Sequence, residues 1–408
     1  MKKTIFIALC VALAAVSCVK PEQLRVTPTS GVNESTLSGY EAKLEPYLTG
    51  TGTVNAKGDD EYYANLREWK ENAWDERGLA KRSISYIFFA DYGSMAFRFA
   101  DIPDSVDVIN LWGGCPKLGS LDYMEMQACR EVKGMKVVGC RITRILENAK
   151  WGMQAEIPSY MEAYEQYIDE HQDDIAEGRM TEQEVENNAK NAANAALRAD
   201  IAAHGHKNAD GTFPDWVVYG ADLLLNEIWE YDIDGYDLDY EPEGDPLSGS
   251  NFNMFVEYMA QYIGPKSENP ETLLIIDRNS GVGDSSLAKY CNFWIYQKYG
   301  STGGASPASQ GDFPSNLNPD NGWVPCQVIT TENVGDTYSN ACNNLEQMAR
   351  FQPSTCGRQY GHKGGFASFH GQRDWRLEAE GAEKGKKLRY QHHRKGIEAQ
   401  AAVKYYGE

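Results

Sequence analysis

Positive charge is scarce in this chain: 39 Lys and Arg stand against 59 Asp and Glu, a formal net charge of -20 over 408 residues. Phosphate backbones are held by clustered Lys and Arg, so the balance speaks against a nucleic-acid partner. The one local exception, Lys384, Lys386, Lys387, Arg389, Arg394 and Lys395, reads as a solvated helix face. A membrane-spanning run is missing at the N-terminus, where the apolar stretch Ile5–Val16 is too short to cross a bilayer. There are nine cysteines but no CxxC pair and no metal-ligand spacing, so neither a disulfide framework nor a zinc site is read. Cys140 and Cys291 lie in or beside apolar runs and are expected to be buried, while Cys326, Cys342 and Cys356 leave one disulfide open without choosing its pair. No GxSxG elbow occurs, which removes the support for a serine hydrolase.

What is present is a large apolar and aromatic supply, 42% hydrophobic and 11% aromatic, enough for one barrel-sized core or two ordinary ones. Lys2 and Lys3 ahead of Ile5–Val16 form an export signal. Ala15-Val16-Ser17-Cys18 resembles a bacterial lipobox, with Ala where Leu is commoner. The resemblance implies cleavage before Cys18 and lipidation of Cys18, giving a signal peptide over 1–17 and an outer-membrane lipoprotein. From Val19 to about Gly58 the chain is polar and turn-rich, as a tether is, so 18–58 is read as linker and 59–408 as the folded domain.

Within that domain a helical pattern covers Asp60 to Glu76, followed by eight short apolar runs: Ser83–Ala90, Val106–Trp112, Lys136–Ile142, Asp232–Glu241, Thr272–Arg278, Asn292–Tyr299, Gln327–Asn333 and Gly365–His370. Several are apolar almost throughout, which suits parallel strands covered on both faces. Helical stretches separate most of them, so the expected fold is α/β, a (β/α)8 TIM barrel. The segment between the third and fourth runs is far longer than one crossover helix needs. It holds Tyr160–Glu177 and Thr181–His204 ahead of the apolar Trp216–Tyr231, and a helical insertion is expected there. Ser301–Asn321 reads as a long loop.

The fourth run carries the chemistry. On a strand, Asp237, Asp239 and Glu241 point one way while Tyr236, Leu238 and Tyr240 point the other. Pro242 cannot donate to a sheet, so Glu241 stands at the exit, where barrel enzymes keep catalytic groups. Residues two apart on a strand are separated by about 6–7 Å, and like charges at that range push a proton onto one member. Glu241 is the expected holder, and a carboxyl kept protonated near neutral pH can act as a general acid.

Asp234-Gly235-Tyr236-Asp237-Leu238-Asp239-Tyr240-Glu241 resembles the DGxDxDxE signature of glycoside hydrolase family 18, on the strand where that family carries it. The resemblance implies a retaining, substrate-assisted route, in which the substrate's N-acetyl oxygen replaces an enzymic nucleophile. Glu241 would then be the acid and base, Asp239 the partner of the acetamide nitrogen, and Asp237 the support of Asp239. No metal or cofactor is implied. Gln297 and Tyr299, in Tyr296-Gln297-Lys298-Tyr299, match the sixth-strand segment that reaches the N-acetyl group. Phe369, in Gly364-Gly365-Phe366-Ala367-Ser368-Phe369, stands where the family usually has Trp. The third-strand Ser-x-Gly-Gly motif is absent and replaced by Cys140-Arg141-Ile142-Thr143. Trp112, Asn333, His370 and the pair Asp91-Tyr92, at strand ends, are candidate sugar contacts.

The reading that follows is an endo-β-N-acetylglucosaminidase cleaving the GlcNAc-β1,4-GlcNAc core of N-glycans, like exported lipoproteins of glycan-foraging bacteria of the Bacteroides group. It is expected as a monomer, with an N-glycan or other GlcNAc-containing oligosaccharide as partner and contact with the membrane only through the lipid. A chitinase, and a non-catalytic glycan-binding lipoprotein on the same barrel, remain the alternatives.

Overall fold

The computed structural model describes residues 57–93, 97–143, 157–204, 212–241, 249–278, 285–297, 327–333, 345–350, 364–375 and 390–402. A closed parallel barrel is built from β1 (Ile84–Phe89), β2 (Val108–Leu111), β3 (Lys136–Ile142), β4 (Gly235–Tyr240), β5 (Leu273–Arg278), β6 (Phe293–Gln297), β7 (Gln327–Asn333) and β8 (Gly365–Phe369). Each strand pairs with its neighbour in sequence, and β8 returns to β1. All eight expected strands are there, several trimmed by a few residues at their ends.

Around the barrel run α1 (Lys57–Glu71), α2 (Leu121–Glu131), α3 (Pro158–Glu170), α4 (Gln172–Ala176), α5 (Glu182–His204), α6 (Asp215–Tyr231), α7 (Ser250–Met259) and α8 (Gln391–Ala401). Local chemistry sets their starts. Ser120 accepts the Tyr123 N–H to cap α2, and Pro158 opens α3 where no N–H is needed. Thr181 and Glu184 exchange side-chain-to-backbone bonds as a capping box ahead of α5. Helices α3 and α5 pack on each other and form the insertion expected between β3 and β4. Val217, Val218, Ala221, Leu224, Leu225 and Ile228 bury the inner face of α6 against the barrel.

The strands bury both faces. Inside the barrel lie Ile84, Tyr86, Phe88, Val108, Val138, Leu273, Ile275, Phe293, Ile295 and Ala367. Between barrel and helices lie Ile87, Phe89, Ile109, Leu111, Val137, Tyr236, Leu238, Leu274, Ile276 and Trp294. Each such side chain contributes about 1.5–3 kcal/mol on burial, so the two faces together hold the strands in one register. Cys140 and Cys291 are buried free thiols, as expected.

The fourth strand begins later than its sequence suggests. Asp232 takes a left-handed conformation (φ 49°) at the C-terminal cap of α6. Asp234 then turns its carboxylate back toward the sheet's lower rim, accepting the Val137 N–H at 2.8 Å and Arg130 at 2.8 and 3.0 Å. Only from Gly235 does the chain enter the ladder. The signal segment 1–17 with Cys18, the tether up to residue 56, Ser301–Asn321, and Cys326, Cys342 and Cys356 lie outside the described residues.

Gly235 has φ 148°, and a Cβ there would come within 2.2 Å of the Leu273 carbonyl oxygen on β5. Backbone cannot yield as a flexible side chain does. Gly235→Ala is therefore expected to cost about 1–3 kcal/mol or more, read as a lower urea midpoint at unchanged slope.

Candidate active site

The alternation along β4 sorts its side chains as expected. Tyr236, Leu238 and Tyr240 pack outward, with Tyr240 stacked on Phe252 of α7 at 4.0 Å and Arg278 lying over its ring at 4.3 Å. Asp237 and Asp239 are inward and nearly sealed, at 0% and 2% exposure, whereas Glu241, one residue past the strand, is half-buried at the rim. The C-terminal end of the strands is the mouth of such a barrel.

Asp237 is held from across the barrel. The Tyr86 hydroxyl donates to its Oδ2 at 2.6 Å and the Asn110 amide donates to the same oxygen at 2.7 Å, while that amide also donates to the Tyr86 oxygen at 2.8 Å. Burial pushes the Asp237 carboxyl up to about 7, against the opposite pull of the Tyr86 and Asn110 hydrogen bonds. Tyr86 itself is driven well above its ordinary value, first by burial and then by the Asp237 charge, so it remains a donor. The other Asp237 oxygen has no hydrogen-bond partner.

Asp239 accepts the Gln297 amide at 3.1 Å, which brings together the strand-four acid and the sixth-strand candidate. Its backbone carbonyl accepts both the N–H and the hydroxyl of Thr143, at 2.9 and 3.1 Å, tying β3 to the end of β4. Thus the stretch standing in place of Ser-x-Gly-Gly has three separate destinations. Cys140 is buried, in register with Asp237; Arg141 turns outward to Glu227 at 3.0 Å; Thr143 braces the strand end. Burial, followed by Asp237, Asp239 and Asp277, raises the Cys140 thiol well above its ordinary value.

One acid escaped the sequence reading. Asp277 on β5 stands in register with Asp239, 1% exposed, and its carboxyl is pushed well above the ordinary range by burial and then by Asp237 and Asp239. Burial therefore raises the carboxyls of Asp237 and Asp277, deep in the barrel. A usable signal existed: Asp277 and Asn110 are polar residues at inward positions of otherwise apolar runs, as is the Tyr86 hydroxyl in Ile84–Phe89.

The opposite side of the mouth is aromatic. Phe369 at the end of β8 meets Trp112, just past β2, at 5.5 Å and Phe88 of β1 at 5.8 Å, both edge to face. Strand order sets β8, β1 and β2 across the interior from β4, β5 and β6. A ring entering the mouth therefore meets an aromatic wall on one side and the carboxyls with Gln297 on the other. Asn333 closes β7 in register with Phe369. Tyr299 lies outside the described residues.

Asp91 and Tyr92 were candidate sugar contacts for which packing was the commoner role, and Tyr92 packs. Its ring packs on Phe89 and Phe99 and its hydroxyl donates to the Gly114 carbonyl, on the helix side of β1. Asp91 accepts from Gln372 at 3.2 Å, and His370 stacks on Phe369 at 4.0 Å. Ser368, His393, His392 and Asp374 form a second polar cluster. All four are fully buried between β8 and α8, with Ser368 bonded to His393 at 2.9 Å, and the parity of β8 turns Ser368 away from the interior. This cluster braces the last helix and offers no surface to a substrate.

The comparisons with known proteins agree with this arrangement. Residues 190–368 match the model of the endo-β-N-acetylglucosaminidase EndoS TIM-barrel domain, a span that includes β4 through β7 and most of β8. Over that span the chain is similar to the barrel domain of an endo-β-N-acetylglucosaminidase. Among solved structures, a selenomethionine form of BT1044 with a Glu-to-Gln substitution is similar to this chain at TM-score 0.54 and 16% identity, covering 86% of this chain and 95% of its own. At that identity the likeness speaks for the fold. An endo-β-N-acetylglucosaminidase from Cordyceps militaris, solved with fucosyl-N-acetylglucosamine-Asn, has TM-score 0.47 and 16% identity over 85% of this chain and 97% of its own. Among curated proteins none matches.

The raised Asp237 carboxyl makes a pH prediction. Its folded value of about 7 exceeds the unfolded value, so the stability it contributes is present at low pH and lost as pH rises between about 4 and about 7. Asp237→Asn is expected to flatten the decline of the urea midpoint over that window, and a profile parallel to wild type contradicts the assignment.

Proposed function

We propose that the protein is a retaining endo-β-N-acetylglucosaminidase that cleaves the GlcNAc-β1,4-GlcNAc core of N-glycans by substrate-assisted catalysis. The observation that carries this reading is the disposition of β4: Asp237 and Asp239 sealed inside the mouth, Gln297 on Asp239, and Glu241 at the half-buried exit. The match to the EndoS barrel over this part of the chain supports the same reading.

In the reaction, the GlcNAc at the cleavage point rests against Phe369 and Trp112 with its acetamide turned toward Asp239. Glu241 passes its proton to the glycosidic oxygen as that bond breaks. The acetamide carbonyl oxygen attacks the anomeric carbon from the other side and forms a cyclic oxazolinium-like intermediate. The Asp239 carboxylate accepts the acetamide N–H and balances the positive charge that develops there. Asp237, fixed by Tyr86 and Asn110, holds Asp239 in line. Glu241, now a base, takes a proton from water as it opens the intermediate, and the configuration at the anomeric carbon is retained.

A second reading, a glycan-binding barrel without turnover, is favoured by one observation: Phe369 supplies a smaller surface than the Trp usual at that place. Chitin is the alternative substrate. We also propose that the protein is an exported lipoprotein held at the outer membrane through Cys18, supported by Lys2, Lys3 and the run Ile5–Val16. Labelled fatty acid is expected to enter the wild-type chain and not Cys18→Ser.

Protein beginning at Ser30 is expected to release glycan from an N-glycoprotein, leaving one GlcNAc on asparagine, with Glu241→Gln slower by about 10²–10⁴-fold. Mass spectrometry of glycan and protein separates the readings. Tight glycan binding without product assigns the barrel to binding, and release of chitobiose from chitin with no action on glycoprotein assigns it to chitin.

A further inference from the structure

Asp277 is the acid for which the scheme above has no task, and its setting is unusual. It is 1% exposed at the inward end of β5, and no hydrogen bond of good geometry reaches either oxygen, the Gln297 amide being a nearby donor that draws its carboxyl down. By contrast, Asp237 is met by two donors and Asp239 by the Gln297 amide. The register sets Asp277 directly beside Asp239 on the neighbouring strand. Neighbouring strands lie about 4.8 Å apart, so two carboxyls on the same face at one register position are within reach of each other. A carboxylate buried beside another carboxylate, with one poorly placed donor between them, is a costly arrangement for a fold to hold. Keeping one proton between the two removes that cost.

We propose that Asp277 is a positioning residue that keeps its carboxyl proton and donates it in a hydrogen bond to the Asp239 carboxylate, fixing the acid that faces the substrate acetamide. This rests on the glycosidase reading for its consequence, but the proton itself is a property of the folded protein. The charged groups that face the Asp277 carboxyl act in one direction. Asp237, Asp239 and Glu241 from the β4 side are acidic and Cys140 on β3 is a thiol held neutral, while the hydrogen bond from the Gln297 amide of β6 draws the carboxyl back. Arg278, next in sequence, turns outward onto Tyr240 and brings it no counter-charge.

The arrangement divides the work. Asp239 must carry negative charge while an oxazolinium-like cation forms, yet it lies among acids. A neutral Asp277 lowers that crowding by one charge and supplies the donor that keeps Asp239 ionised and oriented. The hydrogen bond is charge-assisted, of the stronger class. It leaves the proton count unchanged through the reaction, because the proton Glu241 donates returns from water.

Two variants and a spectroscopic measurement test this. Infrared difference spectra of wild type against Asp277→Asn near neutral pH are expected to show the C=O stretch of a protonated carboxyl lost in the variant. This readout does not depend on any substrate. In turnover, Asp277→Asn keeps an N–H donor without charge and is expected to stay near the wild-type kcat. Asp277→Leu, which fills the site without a donor, is expected to lose about 10- to 100-fold in kcat, the range for groups that orient a reacting group, with KM little changed. Its Tm should hold or rise, since a buried acid has been removed. If Asp277 were only structural, the leucine variant would be as active as wild type. That outcome, or a spectrum lacking the protonated carboxyl, overturns the proposal. If Asp277→Leu does not fold, the infrared result and Asp277→Asn decide. If wild type cuts no glycan at all, the function proposed above fails while the infrared result still judges Asp277.

Discussion

Everything at the mouth of this barrel depends on how acids are kept where water does not reach. Asp237, Asp239 and Asp277 are each at most 2% exposed, and a carboxyl at that depth must find a donor or keep its proton. The fold answers with the Tyr86 hydroxyl and the Asn110 amide, which reach across the interior to Asp237. These two bonds also tie β1 and β2 to β4, strands that are not neighbours in the sheet. The polar contact that solves an electrostatic problem therefore fixes the width of the barrel at the level of the chemistry.

Register does the rest. Parallel strands with their inward residues at matched heights turn isolated acids into a constellation: Asp239 beside Asp277, Asp237 beside Cys140, and Gln297 one strand beyond Asp277. The outward residues of the same strands lock those heights, Tyr236 through Glu227 at 2.8 Å and Tyr240 against Phe252. Packing on the helix side thus sets the accuracy of the interior. The aromatic group of Phe88, Trp112 and Phe369 occupies the other half of the circumference, so the mouth is polar on one side and apolar on the other, as a sugar ring is on its edges and faces.

Much of this was legible in the residues. Period-two alternation in Asp237–Glu241 predicts which side chains are inward, and eight apolar runs predict eight strands because both faces of each are covered. The beginning of β4 was misjudged because Asp232 and Asp234 continue the acidic pattern, although one caps a helix and the other clamps the sheet's lower rim. Asp277 went unnoticed for the opposite reason, since a single acid in an apolar strand has no pattern of its own and acquires meaning only from its neighbour across the ladder. For Tyr92 the sequence left packing and sugar contact open because strand parity stops at the strand's end: Asp91 adopts φ 55° there and the next side chain turns back onto Phe89 and Phe99.

The clamp made by Asp234 and the close approach at Gly235 divide the eight-residue acidic stretch into two parts with different histories of constraint. Asp234 ties α2, β3 and β4 through Arg130 and Val137, and Gly235 lets β4 lie against β5; neither touches the mouth. Folding requires this first pair whatever the mouth does, while Glu241 stands apart from it at the far end of the strand. Asp-Gly thus belongs to the architecture, and what the barrel can do at its mouth is written in the residues after it.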